Sequence, residues 1–326
     1  MKSSAAVARI LTVGMLIGFA GSAAAQQVYP NKPIRFIVPF PPGGSTSIVA
    51  RLVGQKLTES WGQQVIVDNR AGGNTIIGTE ALLKSRPDGY TIMIVVMTHV
   101  VIPNLLPNSP YDPTKDFAAV ATLAGSELVL VLHPSVPANN LQEFIALAKS
   151  KPGQLNYAST GRGGPNHLAA ELFNVMAGVK MQHIPYKGGG PALTELIGGQ
   201  VQLTFNVPLN LIPHIKAGKL KALAISGETR LPALPQVPTF TEAGLPGFDV
   251  NLWQGVVTLA GTPKEIIGRL STEITKILAM PDIKEKLVSQ GMGPLISTPD
   301  QFAALMKADM ARFAKIIKTA NIKLEN

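Results

Sequence analysis

The sequence predicts an α/β protein of two doubly wound lobes joined by two crossover strands, and three observations predict it. Short apolar runs alternate with stretches whose apolar residues recur at helical spacing along most of the chain. Glycine-rich loops stand between a run and a helix at four places: Pro42 to Thr46, Ala71 to Thr75, Gly161 to Pro165, and Lys187 to Pro191. Two of these fall in each half, which suggests a cleft built from both halves. A helix that begins just after a glycine turn offers unpaired backbone N–H groups and the positive end of its dipole, so each loop suits a small anion.

In order, Ile34 to Val38 predicts a buried strand, followed by the Gly43-Gly44 turn and a helix that places Ile48, Val49, Leu52, Val53 and Leu57 on one face. Trp61 and Gly62 close that helix. Val65 to Val67 is the second strand and Ile76 to Leu83 the second helix, and Pro87-Asp88-Gly89 turns the chain into strand Thr91 to Val96. A proline-rich connection is expected from Pro103 to Pro113. Strands Val120 to Leu123 and Leu128 to Leu132 follow as candidates for the crossing into a second lobe.

The second lobe repeats the scheme: helix Leu141 to Lys149, strand Asn156 to Ala158, helix Leu168 to Met176, strand Gln182 to Ile184, helix Ala192 to Ile197 and strand Val201 to Phe205. Helix Leu211 to Ala217 and strand Ala222 to Ile225 come next, then a long ordered loop over Pro232 to Gly247. Val256 to Leu259 is the strand that returns to the first lobe, which finishes with helices Glu265 to Leu278, Ile283 to Val288 and Gln301 to Lys318. The expected domains are 26–125 with 254–326 for the first lobe and 126–253 for the second. All four glycine loops then sit at carboxyl ends of strands, where doubly wound sheets bind ligands.

Composition fits large packed cores: 46% of residues are hydrophobic and 15% charged, far from disordered or coiled-coil composition. The net charge of +9 favours anionic partners, but no dense basic run with interleaved aromatics appears, which argues against nucleic acid. Residues 1–25 read as a secretory signal peptide, with Lys2 and Arg9, an apolar stretch from Ile10 to Phe19, and Ala23-Ala24-Ala25 before Gln26. Without cysteine there is no lipid-attachment site, no disulfide and no thiol chemistry. The mature protein is expected to be soluble in the periplasm.

Several segments together resemble the Bug or TctC family, the extracytoplasmic solute receptors of tripartite tricarboxylate transporters. They are Tyr29-Pro30-Asn31-Lys32-Pro33-Ile34, Pro41-Pro42-Gly43-Gly44-Ser45-Thr46, Asn69-Arg70, Pro87-Asp88-Gly89-Tyr90, His167-Leu168-Ala169-Ala170-Glu171-Leu172, Pro185-Tyr186-Lys187-Gly188-Gly189-Gly190 and Pro238-Thr239-Phe240-Thr241-Glu242-Ala243-Gly244. The resemblance implies a two-lobed, type II-like periplasmic binding protein fold that closes on a small carboxylate and hands it to integral membrane permease subunits. It implies no cofactor, no metal and a monomer.

Carried over by position, the resemblance implies ligand-binding roles for Phe40, Gly44, Ser45, Thr46 and Ser47 in the first loop and Gly72, Gly73, Asn74 and Thr75 in the second. The second lobe supplies Ser159, Thr160, Gly163, His167, Tyr186, Gly189, Gly190 and Asn206. Simple turn chemistry accounts equally well for any single glycine, Ser45 and Thr46 suit helix N-caps, Tyr186 suits packing and Asn206 suits a turn. Ser47 and Asn206 stand where the family pattern often has Asp, and Asn74-Thr75 replace paired glycines. Loss of two acids near a cleft favours a ligand without an ammonium group, a dicarboxylate or aromatic carboxylate rather than an amino acid.

A secreted enzyme acting on a small anion is the alternative, and a ligand sensor for a two-component system is a third reading. The phosphate-loop pattern, a complete G-x-G-x-x-G and a G-x-S-x-G elbow are all absent from the sequence. His167 and Glu171 share a helix face at metal-pair spacing, yet two ligands make a poor zinc site.

Overall fold

The computed structural model describes residues 29–106, 108–186, 189–248, 250–319 and 322. The expected signal peptide lies outside the described residues, as do Lys187 and Gly188 of the fourth glycine loop. The chain divides into units Met1–Asn31 and Lys32–Asn326, and the architecture that follows is that of the second.

The first sheet has the order β11-β4-β10-β3-β1-β2. Its strands are β1 (Ile34–Val38), β2 (Val65–Asn69), β3 (Thr91–Val96), β4 (Phe117–Ser126), β10 (Leu252–Leu259) and β11 (Gly293–Pro294). The second sheet has the order β7-β6-β8-β5-β9, from β5 (Val129–Leu132), β6 (Asn156–Ser159), β7 (Gln182–Pro185), β8 (Leu203–Asn206) and β9 (Lys221–Ile225). β1 runs parallel to β2 and β3, and β6 parallel to β7 and β8, as the alternation of strand and helix requires. Central strands β1 and β3 are mostly apolar and buried because helices cover both faces, with Arg35 the one charged residue of β1, whereas edge strand β2 leaves Ile66 half exposed.

The first sheet is flanked by α1 (Ser45–Trp61), α2 (Ile76–Leu83), α3 (Thr98–Leu105), α8 (Lys264–Ala279), α9 (Pro281–Ser289) and α10 (Pro299–Thr319); the second carries α4 (Leu141–Ser150), α5 (Pro165–Ala177), α6 (Gly189–Ile197) and α7 (Pro208–Lys216). Gly62, in the left-handed region at φ 66°, ends α1 as the sequence predicts. A reciprocal capping box starts α4: Glu143 N–H donates to Asn140 Oδ1, and the Glu143 carboxylate accepts from Asn139 N–H.

Helix α3 departs from expectation, because a proline-rich connection was the reading of this stretch and Pro103 lies inside the helix. Proline cannot donate to the carbonyl four residues back, that of His99. The Tyr111 hydroxyl donates to that carbonyl instead, at 3.0 Å, so the helix survives with its acceptor satisfied. Strands β4 and β10 are longer than predicted, since their alanine, glycine and threonine ends carry weak strand signals.

The chain crosses from one sheet to the other between β4 and β5 and returns between β9 and β10. Buried Ser226 ties the two crossings together: its hydroxyl accepts from Leu128 N–H and donates to the Val250 carbonyl, both at 2.9 Å. Asp309 anchors α10 beneath the return strand by accepting from Trp253 Nε1 at 2.7 Å and from Arg312 at 2.6 Å. Phe173, Phe205, Phe240 and Phe248 form an aromatic cluster in the second lobe, with Phe240 and Phe248 centroids 4.0 Å apart.

Candidate functional site

All four glycine loops follow the carboxyl ends of parallel strands: β1 and β2 in the first lobe, β6 and β7 in the second. The first turns of α1 and α5 are uncapped by side chains. Gly44 and Gly164 hold the N-cap positions with extended backbone and no side-chain hydrogen bond, so the N-capping role considered for Ser45 and Thr46 is not the one they take. A helix start without a cap leaves its leading amides available to an external acceptor.

In the first loop, Ser45 is exposed while Thr46 and Ser47 are buried. Asn69, the last residue of β2, donates through Nδ2 to the Phe40 carbonyl at 2.9 Å and to Ser47 Oγ at 3.2 Å. The second loop is a single 3-10 turn, Gly73–Thr75, with left-handed backbone throughout: Gly72 at φ 122°, Gly73 at 56°, Asn74 at 51° and Thr75 at 78°. Glycine is needed at 72, where a Cβ would stand 2.7 Å from Ile77 Cδ1. Asn74 tolerates this region, but a β-branched residue there is strained. The buried Thr75 hydroxyl has no hydrogen-bond partner among the described residues.

In the second lobe, Ser159 Oγ meets His183 Nε2 at 2.6 Å and accepts from Gly161 N–H at 3.1 Å, which fixes the start of the third loop. Gly163 N–H donates to His167 Nδ1 at 3.0 Å, leaving Nε2 to carry the proton of the neutral ring. His167 and His183 stack with centroids 3.9 Å apart, and Tyr157 stacks on His183 at 5.0 Å. Burial is the main reason that His167 is pushed down to about 3 and His183 to about 4, helped by the Arg162 charge. Both rings are therefore neutral hydrogen-bonding groups near pH 7. Glu171 receives the Tyr157 hydroxyl rather than pairing with His167, and no metal-holding cluster occurs among the described residues.

Thr160 donates to Asn166 Oδ1 at 3.1 Å, and the Asn166 amide donates to the Phe205 carbonyl, joining the third loop to the end of β8. Asn206 accepts from Val207 N–H at 2.8 Å and holds the turn into α7. Tyr186 packs half-buried against the second-lobe core. Gly189 and Gly190 form the first turn of α6, with open space around Gly190.

A cavity of about 270 Å³ opens beside the start of α1, lined by Ser45, by Ala124, Ser126, Leu252 and Gln254 of β4 and β10, by Val207, Leu209 and Asn210 at the start of α7, and by Gln290, Gly291 and Met292 after α9. Of the predicted residues it takes only Ser45. The lining is uncharged. Its polar groups Ser126, Asn210, Gln254 and Gln290 were missed, since they stand on crossover strands and helix ends with no motif around them. Gln254 Oε1 is buried without a hydrogen-bond partner among the described residues, while its Nε2 donates to Met292 Sδ at 3.1 Å. Arg162 was also passed over, although a cation inside a glycine loop was a readable signal.

A family model described as the tripartite tricarboxylate transporter family receptor matches residues 49–322. Protein BugT of Bordetella pertussis is 38% identical over 320 residues, 97% of this chain and 98% of its own. A solved structure from R. palustris with adipate is 33% identical at a TM-score of 0.75, covering 90% of this chain and 99% of that one. MatC from Rhodopseudomonas palustris with bound malate is 31% identical at a TM-score of 0.72, covering 89% of this chain and 100% of that one.

Proposed function

Because the chain belongs to the tripartite tricarboxylate transporter receptor family, a family of solute receptors and not of enzymes, we propose that it captures a small di-, tri- or aromatic carboxylate between its lobes. It delivers that ligand to the integral membrane permease subunits of a tripartite transporter. The observation that carries the reading is the uncharged, hydrogen-bonding cavity lined from both lobes beside the uncapped start of α1. Neutral donors and a helix N-terminus favour an anion over water without the desolvation cost of burying a fixed charge.

The ligand lacks an ammonium group. No acid lines the cavity, Ser47 hydrogen-bonds Asn69 and Asn206 holds its own turn, so no carboxylate there would neutralise an amine, which would meet only neutral acceptors such as Gln254 Oε1. Residues 40, 44–47, 72–75, 159, 160, 163, 167, 186, 189, 190 and 206 shape the cleft, some by contact and some, like Ser47, from behind. Arg162 adds positive charge to the second-lobe side. The protein works in the periplasm as a monomer after removal of residues 1–25. No helix among the described residues is long and apolar enough to cross a membrane.

A thermal-shift screen across di-, tri- and aromatic carboxylates, with product analysis of each mixture, tests the proposal. A cognate ligand at about 100 times its Kd should add roughly 2.7 kcal/mol of stability and be recovered unchanged. Steady conversion of the ligand by purified protein would overturn it.

A further inference from the structure

We infer that Asn69 is a positioning residue that sets the anion-facing geometry of the first glycine loop from the neighbouring strand. The inference rests on the reading of the cleft as a carboxylate site. Asn69 closes β2 and is paired in register with Val38, the last residue of β1. Its side chain spans the gap between the two strand ends with both amide hydrogens used: Nδ2 donates to the Phe40 carbonyl at 2.9 Å and to Ser47 Oγ at 3.2 Å. Its Oδ1 accepts from Arg51 at 3.1 Å, which orients the amide so that its NH2 faces the loop.

Phe40 precedes the glycine turn and Ser47 follows it, so one amide group grips both ends of the segment whose first helical amides face the cleft. No other side-chain hydrogen bond to that segment, residues 40–47, occurs among the described residues. Its α1 end has no side-chain cap, Gly43 is at φ 87°, and Gly43 and Gly44 have almost no neighbours where a Cβ would stand. A loop so open holds one shape only if its ends are fixed. The buried Ser47 hydroxyl is thereby a partner of Asn69 rather than a ligand contact.

Asn69→Ala and Asn69→Leu test this. Both remove the amide donors and neither adds a charge beside the anion-facing loop, so both variants should behave alike toward ligand. Malate, adipate and citrate are titrated calorimetrically at a temperature where circular dichroism shows each variant fully folded, and hydrogen exchange of the Ile48 amide, which donates to the Gly44 carbonyl at 3.0 Å, is followed without ligand. The expected result is a Kd raised about ten-fold for whichever carboxylate the wild type binds, with exchange of the Ile48 amide accelerated to a similar degree, the size of roughly one hydrogen bond. A purely structural role would lower the melting temperature and leave both readouts of the folded protein unchanged, which overturns the inference. If the wild type binds no carboxylate, the ligand reading fails, and the exchange of the Ile48 amide still decides the role of Asn69.

Discussion

Replacing His99 by phenylalanine should make the protein more stable and less sensitive to acid. His99 is 2% exposed, stacks on Tyr111 with centroids 5.0 Å apart and meets the edge of Phe117 at 4.9 Å. Neither ring nitrogen has a hydrogen-bond partner among the described residues. Burial pushes the imidazole down to about 3. In the unfolded chain a histidine titrates near about 6.5, so between those values the unfolded state binds a proton that the folded state refuses.

Stability therefore falls as pH drops below about 6.5, by up to about 1.4 kcal/mol per pH unit for this ring, or about 2 kcal/mol by pH 5. Above pH 7.5 the titration contributes nothing. Phenylalanine keeps the aromatic contacts and removes two unsatisfied nitrogens, which should add about 1 kcal/mol at pH 7.5. The advantage should widen to about 3 kcal/mol at pH 5 when the titration effect is added. The Tyr111 bond survives because it is made to the His99 backbone. Urea unfolding of both proteins at pH 7.5 and pH 5, with equal m-values, measures the difference. His167 and His183 lower stability in acid equally in both proteins, so only the gap between them matters. A gap that does not change with pH would refute the reasoning.

Three backbone substitutions test the packing that shapes the cleft. A Cβ on Gly291, which sits at φ 71°, would stand 2.5 Å from Leu209 Cβ across the cavity wall, so Gly291→Ala should cost about 1–3 kcal/mol by thermal unfolding and shift ligand affinity as the lobes part. In central strand β10 a Cβ on Gly255 would lie 2.3 Å from Phe302 Cζ, and Gly255→Ala should cost about 2 kcal/mol with ligand affinity of the folded protein kept. Thr75→Gly should instead stabilise the free protein by about 1 kcal/mol, because it relieves a left-handed β-branched residue and removes an unpartnered buried hydroxyl. Differential scanning calorimetry of the three variants reads all of these signs.

Most strands and helices were legible because parallel strands buried on both faces spell apolar runs and the helices between them carry one-sided periodicity. The four glycine loops were legible for the same reason, each marking a strand-to-helix turn. α3 was not, because its signal was overruled by Pro103 and its rescue by Tyr111 is a tertiary contact. The inward turn of Ser47 depends on Asn69, twenty-two residues away, which no local pattern announces. The cavity wall was harder still. Ser126, Asn210, Gln254 and Gln290 reach one place only because the chain crosses between sheets twice, and single polar residues on such crossings look like any others in sequence.

Calorimetric titration of the mature protein with malate, adipate, citrate, benzoate and aspartate at pH 7.5 tests the central claim most directly. The account predicts saturable binding at one site per chain for at least one of the four amine-free carboxylates and no measurable binding of aspartate. Tight binding of aspartate, with none of the amine-free carboxylates bound, would contradict it.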